Sequence, residues 1–282
     1  MFTLKNKQLF TSIRSLSKLA FVSDIHLEKI YWGKNYPKFN LKQTENLEGL
    51  ALLGDIGNPG YDNYYNFLAY CSNIFKNVYL ISGNHEYYLK VRSSFNIKNL
   101  VTSRINNAIE KAREKSKKDN IFYLNNSLKE VISNKYILGT TLWSDHTSSI
   151  IESNKYMHRF YNFVNNEHFE SVKFLESNIN KIIKQNEMNN IDEPNITILT
   201  HYLPTFNLVT EQYRNIYYLN RARSERYFSN QEKLIAHPVK NWLCGHSHSN
   251  IEIIFNDVNL KMNCFTSNKK NNNFVDLKFV YL

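Results

Sequence analysis

The chain has 282 residues, 42% of them hydrophobic and 14% aromatic, enough apolar material for a core, and this excludes a disordered or fibrous protein. Lys and Arg outnumber Asp and Glu by 35 to 25, a net charge of +10, but they are scattered, so biased composition explains the excess better than a dedicated polyanion surface does. No apolar run approaches membrane-spanning length, and three cysteines (Cys71, Cys244, Cys264) without metal-type spacing suit a reducing, cytoplasmic setting rather than a disulfide scaffold.

The first 23 residues contain no acid, which loosely resembles an organellar presequence; because a strand begins near Lys18, residues 1–17 read better as an N-terminal extension. Leu19 to Val22 is an apolar strand that runs into Ser23-Asp24-Ile25-His26. Residues 27–46, polar and aromatic, predict a loop with a short helix. A second strand, Leu50 to Leu53, ends in Gly54-Asp55-Ile56-Gly57-Asn58-Pro59-Gly60, and a helix follows from about Asp62 to Phe75. The third strand, Val78 to Ile81, ends in Ser82-Gly83-Asn84-His85-Glu86. Strand, helix, strand, helix, strand is the order of a mainly parallel sheet.

A charged helix is expected over 97–118, then short strands at 121–123, 129–132 and 136–139, the last running into Thr140 to Asp145. Residues 147–168 carry no clear pattern, and 169–187 predict an amphipathic helix. Further strands are expected at 195–199, before Thr200-His201, and at 239–243, before Cys244-Gly245-His246-Ser247-His248. The tail alternates as antiparallel strands do. No repeat, linker or boundary interrupts the chain, so residues 1–282 are expected to form one domain.

Five strand ends share one chemistry: Asp24-x-His26, Gly54-Asp55-x-x-Asn58, Gly83-Asn84-His85-Glu86, His201 and Gly245-His246-x-His248. They offer carboxylate oxygens, an amide oxygen and imidazole nitrogens, a set that suits Mn, Fe or Zn rather than calcium alone. In extended backbone, residues i and i+2 point to one side, so Asp24 with His26, and His246 with His248, are expected to converge. The glycines let the backbone turn tightly beside an ion. Singly, each has a plainer reading: Asp24 as a helix cap, His201 as a hydrogen-bonded structural residue, Asn58 as a turn former before Pro59, Glu86 as a buttress of its loop. All five together argue for a metal site. His146, His158, His168 and His237 are read as surface or loop histidines.

The ordered set D-x-H, G-D-x-x-N, G-N-H-E, H, G-H-x-H resembles the calcineurin-like metallophosphoesterase superfamily, over about Leu19 to His248. The wording of Ser23 to Glu28, Gly83 to Tyr88, Gly139 to Asp145 and Thr200 to Pro204 is similar to its generic bacterial-type phosphohydrolases. The resemblance implies a four-layer α/β/β/α sandwich of two mixed sheets with a dinuclear metal centre at the strand tips. It implies that Asp24, His26 and His248 hold one ion, that Asn84, His201 and His246 hold the other, and that Asp55 bridges them. His85 would face the substrate as general acid, while metal-activated hydroxide attacks a phosphate mono- or diester. Asn58 is placed to orient His85, and Glu86 to support the loop.

Between His201 and the last motif, Tyr213, Arg214, Tyr217, Tyr218, Arg221, Arg223, Arg226 and Tyr227 have two readings. They form a cover whose Arg221 and Arg223 grip a phosphate, or a solvated amphipathic helix that buries its tyrosines. Trp143 and Asp145 edge the pocket, or Trp143 is core. The superfamily's protein phosphatases carry Asp-Arg where this chain has Asn58-Pro59, which argues against protein substrates. A small phosphate ester is therefore the expected partner, with no membrane involved. Nucleic acid is the alternative substrate, as for a nuclease, and a non-catalytic scaffold is the rival from another class; a scaffold should have lost ligands, and none is lost here.

Overall fold

The computed structural model describes residues 17–29, 33–40, 42, 47–88, 96–146, 155–189, 193–211, 214–215, 226–265 and 274–282. Strands β1 (Lys18–Val22), β3 (Leu47–Leu53), β4 (Val78–Ile81) and β5 (Ile121–Tyr123) lie side by side in that order and run parallel. Strand β13 (Lys278–Tyr281) closes the free side of β1 antiparallel to it. A second sheet has the order β10 (Glu252–Phe255), β11 (Val258–Met262), β9 (Val239–Cys244), β8 (Asn195–Leu199), β7 (Lys135–Gly139), β6 (Ser127–Ile132). Its four inner strands are parallel and its two edges antiparallel. A two-stranded pair, β2 (Lys38–Phe39) with β12 (Phe274–Val275), lies outside both sheets. Residues 27–46 were expected to form a loop and a short helix; the described part is loop and turn around the strand β2, with Lys42 in 3₁₀ conformation.

Two-residue alternation sorts each strand's side chains into layers. Leu19 and Phe21 of β1, Ala51 and Leu53 of β3, and Tyr79 and Ile81 of β4 join Ile137, Leu199 and Leu243 of the other sheet in one buried cluster. That cluster is the seam between the sheets. The intervening Ala20, Val22, Leu50, Leu52, Val78 and Leu80 face the other way, into the cluster that holds Phe67, Leu68 and Cys71 of helix α1 (Asp62–Ile74) and Val101 and Ile105 of helix α2 (Ile97–Ser116). On the second sheet Ile196, Ile198 and Trp242 share that cluster with Val164, Leu175, Ile179 and Ile182 of helix α3 (Lys155–Asn189). Helix, sheet, sheet, helix is the four-layer order expected.

Helix α3 begins 14 residues earlier than the apolar pattern predicted. Two positions on its inward face are polar, and one of them, His168, falls in the stretch that carried no clear pattern. His168 Nδ1 donates to the Leu142 carbonyl at 2.9 Å, and Ser171 bonds the Thr140 hydroxyl at 2.8 Å. Both side chains are satisfied where the pattern called for apolar ones.

Candidate metal centre

Every candidate tip sits at the carboxyl end of a parallel strand: Asp24 and His26 after β1, Asp55 after β3, Asn84 and His85 after β4, His201 after β8, His246 and His248 after β9. The ends are tied together beyond the strands. His26 N donates to Asp55 O at 2.9 Å, Asp24 N to Gly54 O at 3.1 Å, and Gly245 N to His201 O at 3.0 Å. Close approach requires glycine at two places. A Cβ on Gly54 would lie 2.6 Å from both Gly83 N and His201 Nδ1, and one on Gly83 would collide with the Asp55 carboxylate.

The backbone reaches this arrangement by a route that alternation did not predict. Asp24, His26, Asp55, His246 and His248 all have positive φ, between 52° and 68°, so the tips are left-handed turns rather than extended chain. Such residues cost about 1–3 kcal/mol each and cluster where function over-determines the backbone. Asp24 and His26 converge as expected. His246 and His248 do not. His248 joins Asp24 and His26, whereas His246 joins Asp55 and His201.

In the first group His26 Nε2 faces His248 Nε2 at 3.1 Å, and Asp24 Oδ1 lies 3.4 Å from His248 Nε2. Asp24 Oδ2 accepts from the Ser23 hydroxyl and the His246 N–H, while the buried Oδ1 has no hydrogen-bond partner. In the second group Asn84 Oδ1 faces His201 Nε2 at 3.1 Å, and its Nδ2 donates to the Tyr88 hydroxyl. His201 Nδ1 donates to Leu53 O at 2.8 Å, which leaves Nε2 turned inward; His246 Nε2 donates to Arg226 O at 2.9 Å, which leaves Nδ1. Asp55 Oδ2 lies between the groups, 3.4 Å from His201 Nε2 and 3.9 Å from His26 Nε2.

Imidazole nitrogens, carboxylates and an amide oxygen that converge, with an orphaned carboxylate oxygen among them, make the donor set of a cation site, and the residues fit divalent ions. Burial holds His246 down to about 3, aided by the neighbouring His201, and pushes His248 down, so both imidazoles are neutral, the form that binds metal. Burial also opposes charge on Asp55 and His201, but the pair stabilise each other: the carboxyl lies well below its usual range and the imidazole is raised to about 9. A proton and a metal ion compete for that Nε2, so metal uptake would release protons.

Glu86 is fully buried and accepts four backbone N–H groups: Asp55 and Gly83 on Oε2 at 3.0 and 2.8 Å, Ile56 and Gly57 on Oε1 at 2.8 and 3.3 Å. Burial and the Asp55 charge raise its carboxyl to about 7, against the pull of those bonds. Asn58 does not orient His85. Its side-chain oxygen accepts from Gly60 N at 2.8 Å, because the turn before Pro59 and Gly60 points it along its own loop. Glu28 stands on His85 instead, with Oε1 2.9 Å from both His85 Nδ1 and His26 Nδ1. Sequence reading passed over Glu28; its one signal was an acid two residues after a candidate ligand. It also passed over Tyr88, whose ring lies 4.9 Å from that of His85.

Trp143 is core, 1% exposed, with its ring near those of Tyr87, Phe163 and Tyr202. Tyr213, Tyr217, Tyr218, Arg221 and Arg223 lie outside the described residues, as does the side chain of His158. Arg226 donates to the Tyr161 hydroxyl at 2.9 Å, and Arg214 to the carbonyls of Val209 and Asn207. His146 lies in a loop, as read, but is buried there, bonded to Ser144 and stacked on Tyr161, and His168 lies on α3. His237 is exposed and paired with Glu193. Among the described residues no helix is long and apolar enough to cross a membrane.

Comparison with known proteins places this geometry. An uncharacterized protein of Acanthamoeba polyphaga mimivirus is 29% identical over 279 residues, covering 91% of this chain and 93% of its own length. The crystal structure of phosphopantetheinyl hydrolase from Mycobacterium tuberculosis superposes with a TM-score of 0.55 at 12% identity, covering 94% of this chain and 96% of that one; the likeness is one of fold. The sequence profile described as calcineurin-like phosphoesterase matches residues 17–250, which include all five strand tips. The chain belongs to the calcineurin-like phosphoesterase family.

Proposed function

We propose that this chain hydrolyses small phosphate esters, diesters included, at a dinuclear divalent-metal centre with His85 as general acid. Asp24, His26 and His248 would hold one ion, Asn84, His201 and His246 the other, and Asp55 would bridge the two. One observation carries this reading: Asp55 Oδ2 stands between the two groups of candidate ligands, 3.4 Å from His201 Nε2 in one and 3.9 Å from His26 Nε2 in the other. The mixed oxygen and nitrogen set fits Mn, Fe or Zn, and manganese is the first ion to test. When bound, two such ions lower the pKa of water and draw off phosphoryl charge.

The chain's own groups supply the rest. His85 is 29% exposed and stands beside Asp55, so a substrate can reach its Nε2. As the bond from phosphorus to the leaving oxygen breaks, Nε2–H gives its proton to that oxygen, a transfer worth about 10²–10⁴-fold. Glu86 holds the Asp55 and Gly83 loops in register by their N–H groups. Asn58-Pro59, in place of an acid and an Arg, supports a small-molecule ester over a protein substrate. Three free, buried cysteines favour a cytoplasmic setting, and motifs that draw on both sheets support a single domain, with residues 1–17 as an extension.

Metal analysis with a screen of monoesters, diesters, cyclic nucleotides and oligonucleotides in Mn tests the reading. Two ions per chain and hydrolysis of small esters are expected. A folded chain that takes up no metal and cleaves nothing overturns it. Cleavage confined to oligonucleotides, and steeply lost with salt, would make the protein a nuclease.

A further inference from the structure

We propose that Glu28 is a positioning residue that fixes the tautomer and aim of His85 and ties it to His26, the office that Asn58 does not fill; this rests on His85 being the proton donor of the proposed reaction. One carboxylate oxygen, Glu28 Oε1, stands 2.9 Å from the Nδ1 atoms of both histidines. An ionised carboxylate only accepts, so both Nδ1 atoms carry hydrogen. The free nitrogen of His26 is then Nε2, which faces His248 at 3.1 Å. The free nitrogen of His85 is likewise Nε2, 3.9 Å from Asp55 Oδ2 and turned to the centre. A single side chain therefore sets the metal-facing atom of one histidine and the substrate-facing atom of the next.

The anchor is rigid on both sides. Leu27 N donates to Ile56 O at 2.8 Å, Leu27 O accepts from Asn63 Nδ2 at 2.7 Å, and Lys29 N donates to His26 O at 3.0 Å. The two rings meet edge to face with centroids 4.4 Å apart, so neither turns without leaving the shared oxygen. After Nε2–H is given to the leaving oxygen, the neutral ring keeps its Nδ1–H on Glu28 and regains the Nε2 proton from water. The dependence is greatest for basic leaving groups such as alkyl alcohols, which need the proton, and least for acidic phenols, which do not.

Histidine-selective ¹⁵N NMR on the metal-free and zinc-loaded chain reads the tautomer directly. In the wild type, neutral His85 should carry its hydrogen on Nδ1. In Glu28→Ala that pattern should give way to a tautomer mixture while His201 keeps its Nδ1–H on Leu53; Glu28→Gln, equal in size, should shift it in the same direction by less. An unmoved His85 in both variants overturns the inference. Rates per bound metal provide the second arm. Glu28→Ala should lose about 10–100-fold on alkyl phosphates, the usual effect of removing a partner behind a site, and little on nitrophenyl phosphates. Equal loss on both overturns it too. A wild type that holds two ions but hydrolyses no ester would defeat the proposed function and leave the tautomer result standing.

Discussion

His201 donates its Nδ1–H to the carbonyl of Leu53 at 2.8 Å, a bond that joins the end of β8 in one sheet to the end of β3 in the other. Both residues are fully buried. The bond closes the seam between the sheets where the candidate ligands meet, and it selects which nitrogen faces them. His246 reaches the same result with the opposite nitrogen, through Arg226 O. Backbone carbonyls thus orient two of the imidazoles, and a carboxylate orients two more.

His201→Ala should therefore cost stability even without metal. It leaves the Leu53 carbonyl unpaired in the seam, a loss of about 1–3 kcal/mol. Urea unfolding in chelator should show that loss against wild type, and adding Mn should widen the gap, since the wild type gains binding energy from a ligand the variant lacks. Equal midpoints in chelator would remove the structural part of this account.

Asp55→Ala should lose metal and turnover together, because its Oδ2 lies near both groups. Metal content measured after dialysis should fall for both ions rather than for one. Retention of a single ion at full occupancy would show that the two groups do not share Asp55.

His85→Ala should separate the two properties. The ring is not among the proposed ligands, so metal content should match wild type while turnover on alkyl esters falls by about 10²–10⁴-fold. Near-wild-type rates on esters with poor leaving groups would refute the general-acid role.

Glu86→Gln is the conservative change that should be badly tolerated. Each carboxylate oxygen accepts two backbone N–H groups, so either orientation of the amide sets an NH₂ against two donors. The cost should be about 3 kcal/mol, from donors left unpaired in a buried site. Thermal unfolding reads it, and metal affinity should fall with it as the Asp55 loop loosens.

The strands that carry the tips, and the five tips themselves, were legible in the sequence because each of those strands is an apolar run that leads into glycine or a polar ligand type; Lys38–Phe39, too short for a pattern, was not. Helix α3 was not fully legible, since His168 interrupts the apolar face of its first half with a polar group whose partner, Leu142, is distant in sequence. The pairing of His246 and His248 was misread for a related reason. Alternation assumes extended backbone, which neither pair has; positive φ alone does not decide the outcome, since Asp24 and His26, at 57° and 54°, still share one group. Glu28 and Asn58 show the same limit. Either could orient His85 on paper, and only the fold decides which side chain arrives.

His146 offers a pH test away from the ligands. It is 4% exposed, and burial, with Arg226 nearby, lowers its pKa to about 4 from an ordinary 6.5. Between those values the unfolded chain binds a proton that the folded chain refuses. Stability from this residue is thus whole above about pH 6.5 and declines as pH falls below it, by about 2 kcal/mol at pH 5. In chelator, to silence the ligand histidines' metal linkage, wild type should lose more stability between pH 7.5 and 5 than His146→Gln does, by about that amount. Urea midpoints at the two pH values measure the difference. Equal losses in the two proteins would mean that His146 protonates in place, with Ser144 and Tyr161 accommodating the charge.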